Sequence, residues 1–567
     1  MQTLLASLSG HSMAMLRGIA ELRALALSTN HRDDAATQLA AALAEPEATA
    51  AALVTCSEAA RAAWAALAAA GGRMKTPAFT RQHGVIRPVG PGRLEREAIW
   101  RQPQSPAEEL WYRGLIFRGF ADLGDGPAEY IYIPAELLPA TVPAVPTVAD
   151  NLAPQPEPAR KKHAYNTLAV DICGLLAAVR ELSPRIERSG QPRPADLLPL
   201  RAGMLLPDPV RFDLAISLAR SRGWLAVDRG RLVVNTQETT AWLRLTLWEQ
   251  MKALYEAWRD STDAGPAQPY GWNDLRHIPA LQAEGAWRND PVTARRAILA
   301  ALSRLEPANW YGIGDFVAWI KETDPDFQRP DGSYTGWYLR DVATGRYLSG
   351  FESWDEVEGR LIRFILTGPL FWLGALTLGE DAEGQLQTFR LTSFGAAWLG
   401  RPLPEHLPRP MRLSIDEHFI ITAPLLLPLF DRFRLLRFTE PIAAPYELGQ
   451  PTRHRITRGG LARSREAGVR GQAIIEFLRR ASGDRLPPRV AAALARWEEH
   501  SGAVTITRGA VLRVEDAGIL AALRADPAVA PLLGELLSTQ AALVRENDLP
   551  QLLKALAELG YTVHTGQ

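Results

Sequence analysis

What the chain lacks narrows its reading first. Lysine is confined to Lys75, Lys161, Lys162, Lys252, Lys321 and Lys554, so every other basic residue apart from histidine is an arginine. With the abundance of alanine and leucine, this reads as a GC-rich bacterial coding bias rather than as arginine-specific recognition. Cysteine occurs only at Cys56 and Cys173. Two distant thiols cannot build a four-cysteine zinc site, and no CxxC pair or HExxH helix assists them. Buried, inert thiols in a reducing compartment are expected. No uninterrupted apolar run reaches the roughly 18 residues of a spanning helix. The opening MQTLLASLSGHSMAML lacks a basic segment followed by a continuous apolar core. A cytoplasmic location without membrane contact is the expectation. Surplus charge is absent too, with 63 Lys and Arg facing 63 Asp and Glu over 567 residues. A neutral chain has no global field to draw it onto DNA or an anionic membrane, so any nucleic-acid surface must be a local patch.

Catalytic phrases are also missing. There is no GxxxxGK[ST] phosphate loop, and no lysine is placed to reach β and γ phosphates. No GxSxG occurs, and Gly312-Ile313-Gly314 is too short to cradle a dinucleotide. Asp416-Glu417-His418 has the letters of a DExH box but no phosphate loop before it, and is read as chance. The ten histidines are scattered; His277 or His418 could act as a base only beside partners that the sequence does not place. The expectation is a protein without enzymatic activity, cofactor or metal.

What is present is an ordinary globular balance, 47% hydrophobic and 22% charged, in a chain long enough for roughly three to five domains. The fold expected is mainly α with small β hairpins, an α+β assembly. Residues 1–138 read as helical, with Leu16, Ile19, Leu22 and Leu25 at helical spacing and an alanine-rich stretch from Ala35 to Ala70 stopped by Gly71-Gly72. Glu108-Glu109-Leu110-Trp111 then leads to an apolar strand, a turn at Gly124-Asp125-Gly126, and the strand Tyr130-Ile131-Tyr132-Ile133. A helix, a strand, a turn and a second strand make the pattern of a winged helix with its hairpin wing. Residues 139–162 carry six prolines and few bulky apolar side chains, and read as a linker.

The same grammar recurs twice. In residues 163–265 a helix over Ala164–Leu182 is followed by one over Phe212–Arg220. The hairpin Trp224–Val227 and Arg231–Val234 comes next, turning at Asp228-Arg229-Gly230, and then one long helix bearing Trp242, Leu245, Trp248 and Leu254. In residues 266–403 helices are expected over Ala294–Leu305, Ile313–Lys321 and Trp354–Leu366, the last ending at Gly368-Pro369. A hairpin follows, and Arg390-Leu391-Thr392-Ser393-Phe394-Gly395 closes it with a threonine N-cap. Trp310, Trp319, Trp337, Trp354 and Trp372 crowd this segment among apolar neighbours, and are assigned to core packing rather than base stacking.

Residues 404–567 change character. Phe419-Ile420-Ile421 opens an apolar patch to Leu436; His454-Arg455-Ile456-Thr457 opens a helix with Leu461, Ala467 and Gly468, followed by Ile474, Ile475, Phe477 and Leu478. Leu486-Pro487-Pro488 starts another helix through Val490, Leu494 and Trp497, with proline in the first turn where its missing amide costs nothing. Strands Val504-Thr505-Ile506 and Val511-Leu512-Arg513 follow Gly502. This order resembles the non-catalytic N-terminal domain of XPB-type DNA helicases, over about residues 412–565. The resemblance implies an interaction and DNA-handling module whose motor domains are not in this chain. In architecture alone, winged helices followed by such a domain resemble the TFIIH subunit that docks onto the XPB motor.

The densest basic patch lies at the entry to this domain: Arg453, Arg455, Arg458, Arg463, Arg465 and Arg470, with His454 among them and Glu466 as the one acid. Such a stripe neutralises phosphates. The function expected is a non-catalytic, DNA-associated scaffold or helicase partner that binds DNA through these arginines and a protein, such as a helicase motor, through apolar faces. The alternative is a protein–protein adaptor that uses winged helices as docking surfaces and never touches DNA.

Overall fold

The computed structural model describes all residues except 1–2, 46, 123–126, 139–151, 189, 263–269, 286, 330–331, 443–444, 501–508 and 565–567. The expected turn at 124–126, the proline-rich stretch up to residue 151 and the strand expected at 504–506 therefore lie outside the described residues. Helices dominate and the strands gather into small antiparallel sheets, so the chain has the mixed α+β class read from its sequence. Its contacts divide it into two compact units, Met1–Ile415 with Ile420–Thr457, and Asp416–Phe419 with Arg458–Gln567.

Within the first unit one order of elements occurs three times. The first instance runs through helix α1 (Glu58–Ala69), strand β1 (Arg73–Lys75), helix α2 (Thr76–His83), helix α3 (Pro106–Tyr112) and the hairpin of β2 (Phe117–Asp122) and β3 (Pro127–Tyr132). The short first strand adds to the last, Arg73 opposite Tyr132. The second follows strand β4 (Arg160–His163) with α4 (Thr167–Leu182), α5 (Pro194–Arg201), α6 (Pro209–Ser221) and the hairpin of β5 (Leu225–Asp228) and β6 (Arg231–Val234). Its first strand is reduced to one bridge, Arg185 opposite Arg231. Gly174 of α4 is obligatory, because a Cβ there would meet the Gly203 carbonyl oxygen at 1.9 Å.

The single helix expected next is two, α7 (Thr236–Leu243) and α8 (Leu247–Arg259). Thr246 supplies the break: its hydroxyl accepts from the Glu249 amide while the Glu249 carboxylate accepts from the Thr246 amide, a capping box that starts a new helix.

The third instance comprises α9 (Pro291–Ser303), β7 (Tyr311–Gly312), α10 (Ile313–Thr323), a third helix with α11 (Arg360–Ile365) at its centre, and the hairpin of β8 (Leu376–Glu380) and β9 (Leu386–Leu391). Its sheet runs β4-β8-β9-β7. Two sequence expectations change here. Arg160-Lys161-Lys162, expected as the end of a linker, forms β4, with Arg160 opposite Glu380 and an ion pair between Lys162 and Glu380. The third helix does not stop at Gly368-Pro369. It widens into π turns at Asp355–Gly359 and Leu366–Leu370 and carries Pro369 inside the second; the wider turn relieves the clash that a proline makes in an α-helix. Helix α12 (Ser393–Trp398) begins as expected on Thr392, whose hydroxyl accepts from the Gly395 amide. Trp310, Trp319 and Trp354 are buried, and Trp337 and Trp372 pack partly buried against the same core.

The first unit closes on a sheet of order β10-β11-β13-β12, from β10 (Ser414–Ile415), β11 (Ile420–Ala423), β12 (Thr439–Pro441) and β13 (Thr452–Ile456), with helix α13 (Leu429–Leu435) between β11 and β12. One core gathers residues from Leu4 to Leu137 and another from Ala164 to Phe433.

The second unit holds α14 (Arg458–Glu466), α15 (Gly471–Ser482), α16 (Pro488–His500), β14 (Gly509–Arg513), α17 (Ala517–Ala525), β15 (Leu536–Ser538), β16 (Ala541–Arg545) and α18 (Leu549–Glu558). Ile474, Ile475, Phe477 and Leu478 of α15 are buried, as are Val490, Ala493 and Leu494 of α16. Each large apolar side chain so buried contributes about 1.5–3 kcal/mol. Beyond them β14, β16 and β15 form a sheet with β16 in the centre, over a small core of Leu523, Val529, Val544, Leu552 and Leu556.

Candidate nucleic-acid interface

Strand alternation decides which part of the basic patch faces solvent. Along β13, Thr452, His454 and Ile456 are buried while Arg453 and Arg455 are exposed. His454 therefore does not join the cationic surface. Burial, and then the nearby Arg432 guanidinium, push its pKa down to about 3, so it is neutral near pH 7. Its Nε2 lies 3.0 Å from the Thr452 hydroxyl. Arg432 is itself buried, donating to that hydroxyl at 2.8 Å and to the Pro424 carbonyl at 2.6 Å. This polar layer beneath the strand holds the two exposed arginines on one face.

The other four arginines belong to the second unit. Arg458, Arg463 and Arg465 lie on α14, Arg470 is the N-cap of α15, and all four are exposed. The unit boundary thus falls inside the patch, between Thr457 and Arg458. Arg453, Arg455, Arg465 and Arg470 make no ion pair among the described residues. The basic character also continues past the stretch singled out from the sequence. Arg479, Arg480, Arg485, Arg489 and Arg496 are exposed on α15, on α16 and on the turn joining them. Between residues 453 and 496 eleven arginines face only Glu466, Glu476 and Asp484. Acid depletion over a wider window than the patch would have found them.

An aromatic pair lies in the same unit. Trp497 of α16, partly exposed, stacks on Phe419 with centroids 5.3 Å apart and planes at 25°. The Arg458 guanidinium carbon lies 5.7 Å from the centre of the Trp497 ring. Phe419 has φ 65°, left-handed backbone that a bulky side chain rarely adopts. That conformation costs on the order of 1–3 kcal/mol and is held by its surroundings.

The third helices of the three repeated modules offer no comparable surface. From Arg211 to Arg220 on α6 only Asp213 is exposed. Over residues 354–371 of the third module only Asp355 and Arg363 are, and α3 has no fully exposed residue. Each of these helices also carries a buried charge: Glu108 with Arg87 at 2.6 Å, Arg211 with Asp171 at 2.7 Å, and Glu358 with Arg329 at 2.6 Å. They are packing elements, held by ion pairs within the unit.

The remaining reactive residues are scattered. Cys56 and Cys173 are both buried; burial pushes the Cys173 thiol up to about 12. His277 stacks on Trp272 at 3.6 Å with Nδ1 2.8 Å from the Asn273 carbonyl. His418 is exposed, and its amide donates to Asp416. No group of three or more His, Cys, Asp or Glu that could hold a metal ion is found among the described residues. No described helix is long and apolar enough to cross a membrane.

Residues 421–538, about a fifth of the chain, match the family described as helicase conserved C-terminal domain. No curated protein matches the chain. The match covers the stretch in which the arginines concentrate and supports an association with helicases; the family is described as a C-terminal helicase domain, whereas the sequence resemblance over 412–565 is to an N-terminal one.

Proposed function

We propose that the protein is a non-catalytic, DNA-associated scaffold that works as the partner of a helicase motor. One observation carries this reading: the helicase-type match coincides with the acid-poor, arginine-rich segment whose side chains point to solvent. The likeness to the domain before the XPB motor supports the same assignment. The three modules support a winged-helix reading, because each has the order helix, strand, helix, helix, hairpin with the short first strand paired to the last.

A second reading has its own support for the first unit. Third helices that are buried and tipped with Asp213 and Asp355 cannot enter a major groove as recognition helices do. That favours modules acting as protein-docking surfaces, with DNA contact left to residues 453–496.

Fluorescence anisotropy with labelled duplex and forked DNA across a salt series tests the proposal. Affinity should fall steeply with salt, and replacing Arg453, Arg455, Arg458 and Arg465 with glutamine should flatten the slope by about 0.9 per lost phosphate contact. Absence of binding at low salt would leave the docking adaptor as the working function.

A further inference from the structure

We propose that Trp497 is a stacking platform for a base of single-stranded DNA, covered in this structure by Phe419. The inference rests on the DNA-binding reading and gives it a strand preference. Three observations converge on this indole. It is partly exposed near the end of α16, where Arg489 and Arg496 are exposed two helical turns apart on the same helix. Only the small Ala492 and Ala495 are exposed between those two arginines. Its ring is within reach of Arg458, and stacked on Phe419. A flat π-face beside cations is the arrangement by which proteins hold single strands, with the base on the aromatic ring and the phosphates on arginines. A duplex keeps its bases stacked on one another and has no use for the indole.

Phe419 fills the place of the base. Its positive φ belongs to a turn in which its amide donates to the Asp416 carbonyl at 3.3 Å, and the turn presents its ring to Trp497. A nucleobase offers Trp497 the same stacking and brings a phosphate to Arg458, so exchange is favoured when a single strand is at hand.

The test uses the full chain with oligo(dT) of roughly 16 nucleotides, oligo(rU) and a duplex of equal length, read by anisotropy at low salt. Wild-type protein should prefer oligo(dT). Trp497→Ala should weaken oligo(dT) binding roughly tenfold and leave the duplex unchanged. Phe419→Gly, which removes the covering ring and suits the left-handed backbone, should tighten oligo(dT) binding. Opposite signs for the two variants support the platform, and the Phe419→Gly result stands even where Trp497→Ala fails to fold. If both variants weaken oligo(dT) alike, or neither changes it while duplex still binds, Trp497 and Phe419 are a packing pair and only this inference falls. Tighter binding of oligo(rU) overturns the assignment to DNA. Loss of all three ligands in the wild type removes the DNA-binding reading itself.

Discussion

His454 sits between two exposed arginines in sequence and carries no charge of its own near pH 7. The direction of its shift fixes a pH dependence. Folded, it resists protonation down to about pH 3; unfolded, it takes a proton below about 6.5. Stability from this residue is therefore complete above pH 6.5 and is lost as pH falls towards 3, by about 1.4 kcal/mol per unit. Arg432 stays positive over this range and opposes the proton throughout. His454→Gln keeps a hydrogen-bonding group for Thr452 and cannot titrate. Urea unfolding between pH 7 and 4 should show the wild type losing stability relative to this variant, and parallel curves would refute the assignment. From sequence, His454 counted with the patch because charge was summed along the chain; the period of two in β13 sends it inward and sends Arg453 and Arg455 outward. Buried ion pairs were equally hidden. Asp171 inside the apolar run of α4 is a visible anomaly, but its partner Arg211 lies forty residues on, across a contact that only folding makes.

At the scale of elements, the sequence was most readable where a local chemical signal exists. The turn Asp228-Arg229-Gly230 and the Thr392 cap stood out because their side chains and positive-φ positions act within a few residues. First strands of one to three residues left no period to detect, so the closure of each module onto its last strand was not seen. Nor was the division at Thr246, whose capping box was overridden by the apolar residues on both sides. That box can be weighed: Thr246→Ala should cost about 1 kcal/mol, read as a lower midpoint in thermal unfolding by circular dichroism, whereas Leu245→Ala at a half-exposed position should cost less. Equal losses would mean that the break is set by packing rather than by the cap.

For the whole molecule, the mixed α+β class was legible, while the position of the unit boundary was not. It falls at Thr457, in the middle of a charged run that reads as one feature. Neutrality of the full chain concealed how unevenly charge is distributed, since the surplus of arginine over residues 453–496 is balanced by acids elsewhere. A patch defined by sequence proximity is thus shared by two folding units, a strand of one and the opening helices of the other.

The sheet orders separate inheritance from folding. The stretch that matches the helicase-type family begins at residue 421, inside strand β11, and ends at residue 538, where β15 ends. Cut there, the piece would lose β10 and Ile420 at its start. At its end it would lose β16, the strand to which both β14 and β15 are bonded, together with α18, which supplies Leu552 and Leu556 to the core. A fragment of residues 421–538 should show no cooperative unfolding transition, whereas one of residues 458–567 should show one. The family match and the run Arg458–Gln567 of the second unit are then offset by 37 residues at the start (458 − 421) and 29 at the end (567 − 538), so a graft of the matched stretch would keep the helices that carry the arginines and leave β14 and β15 without the strand that joins them.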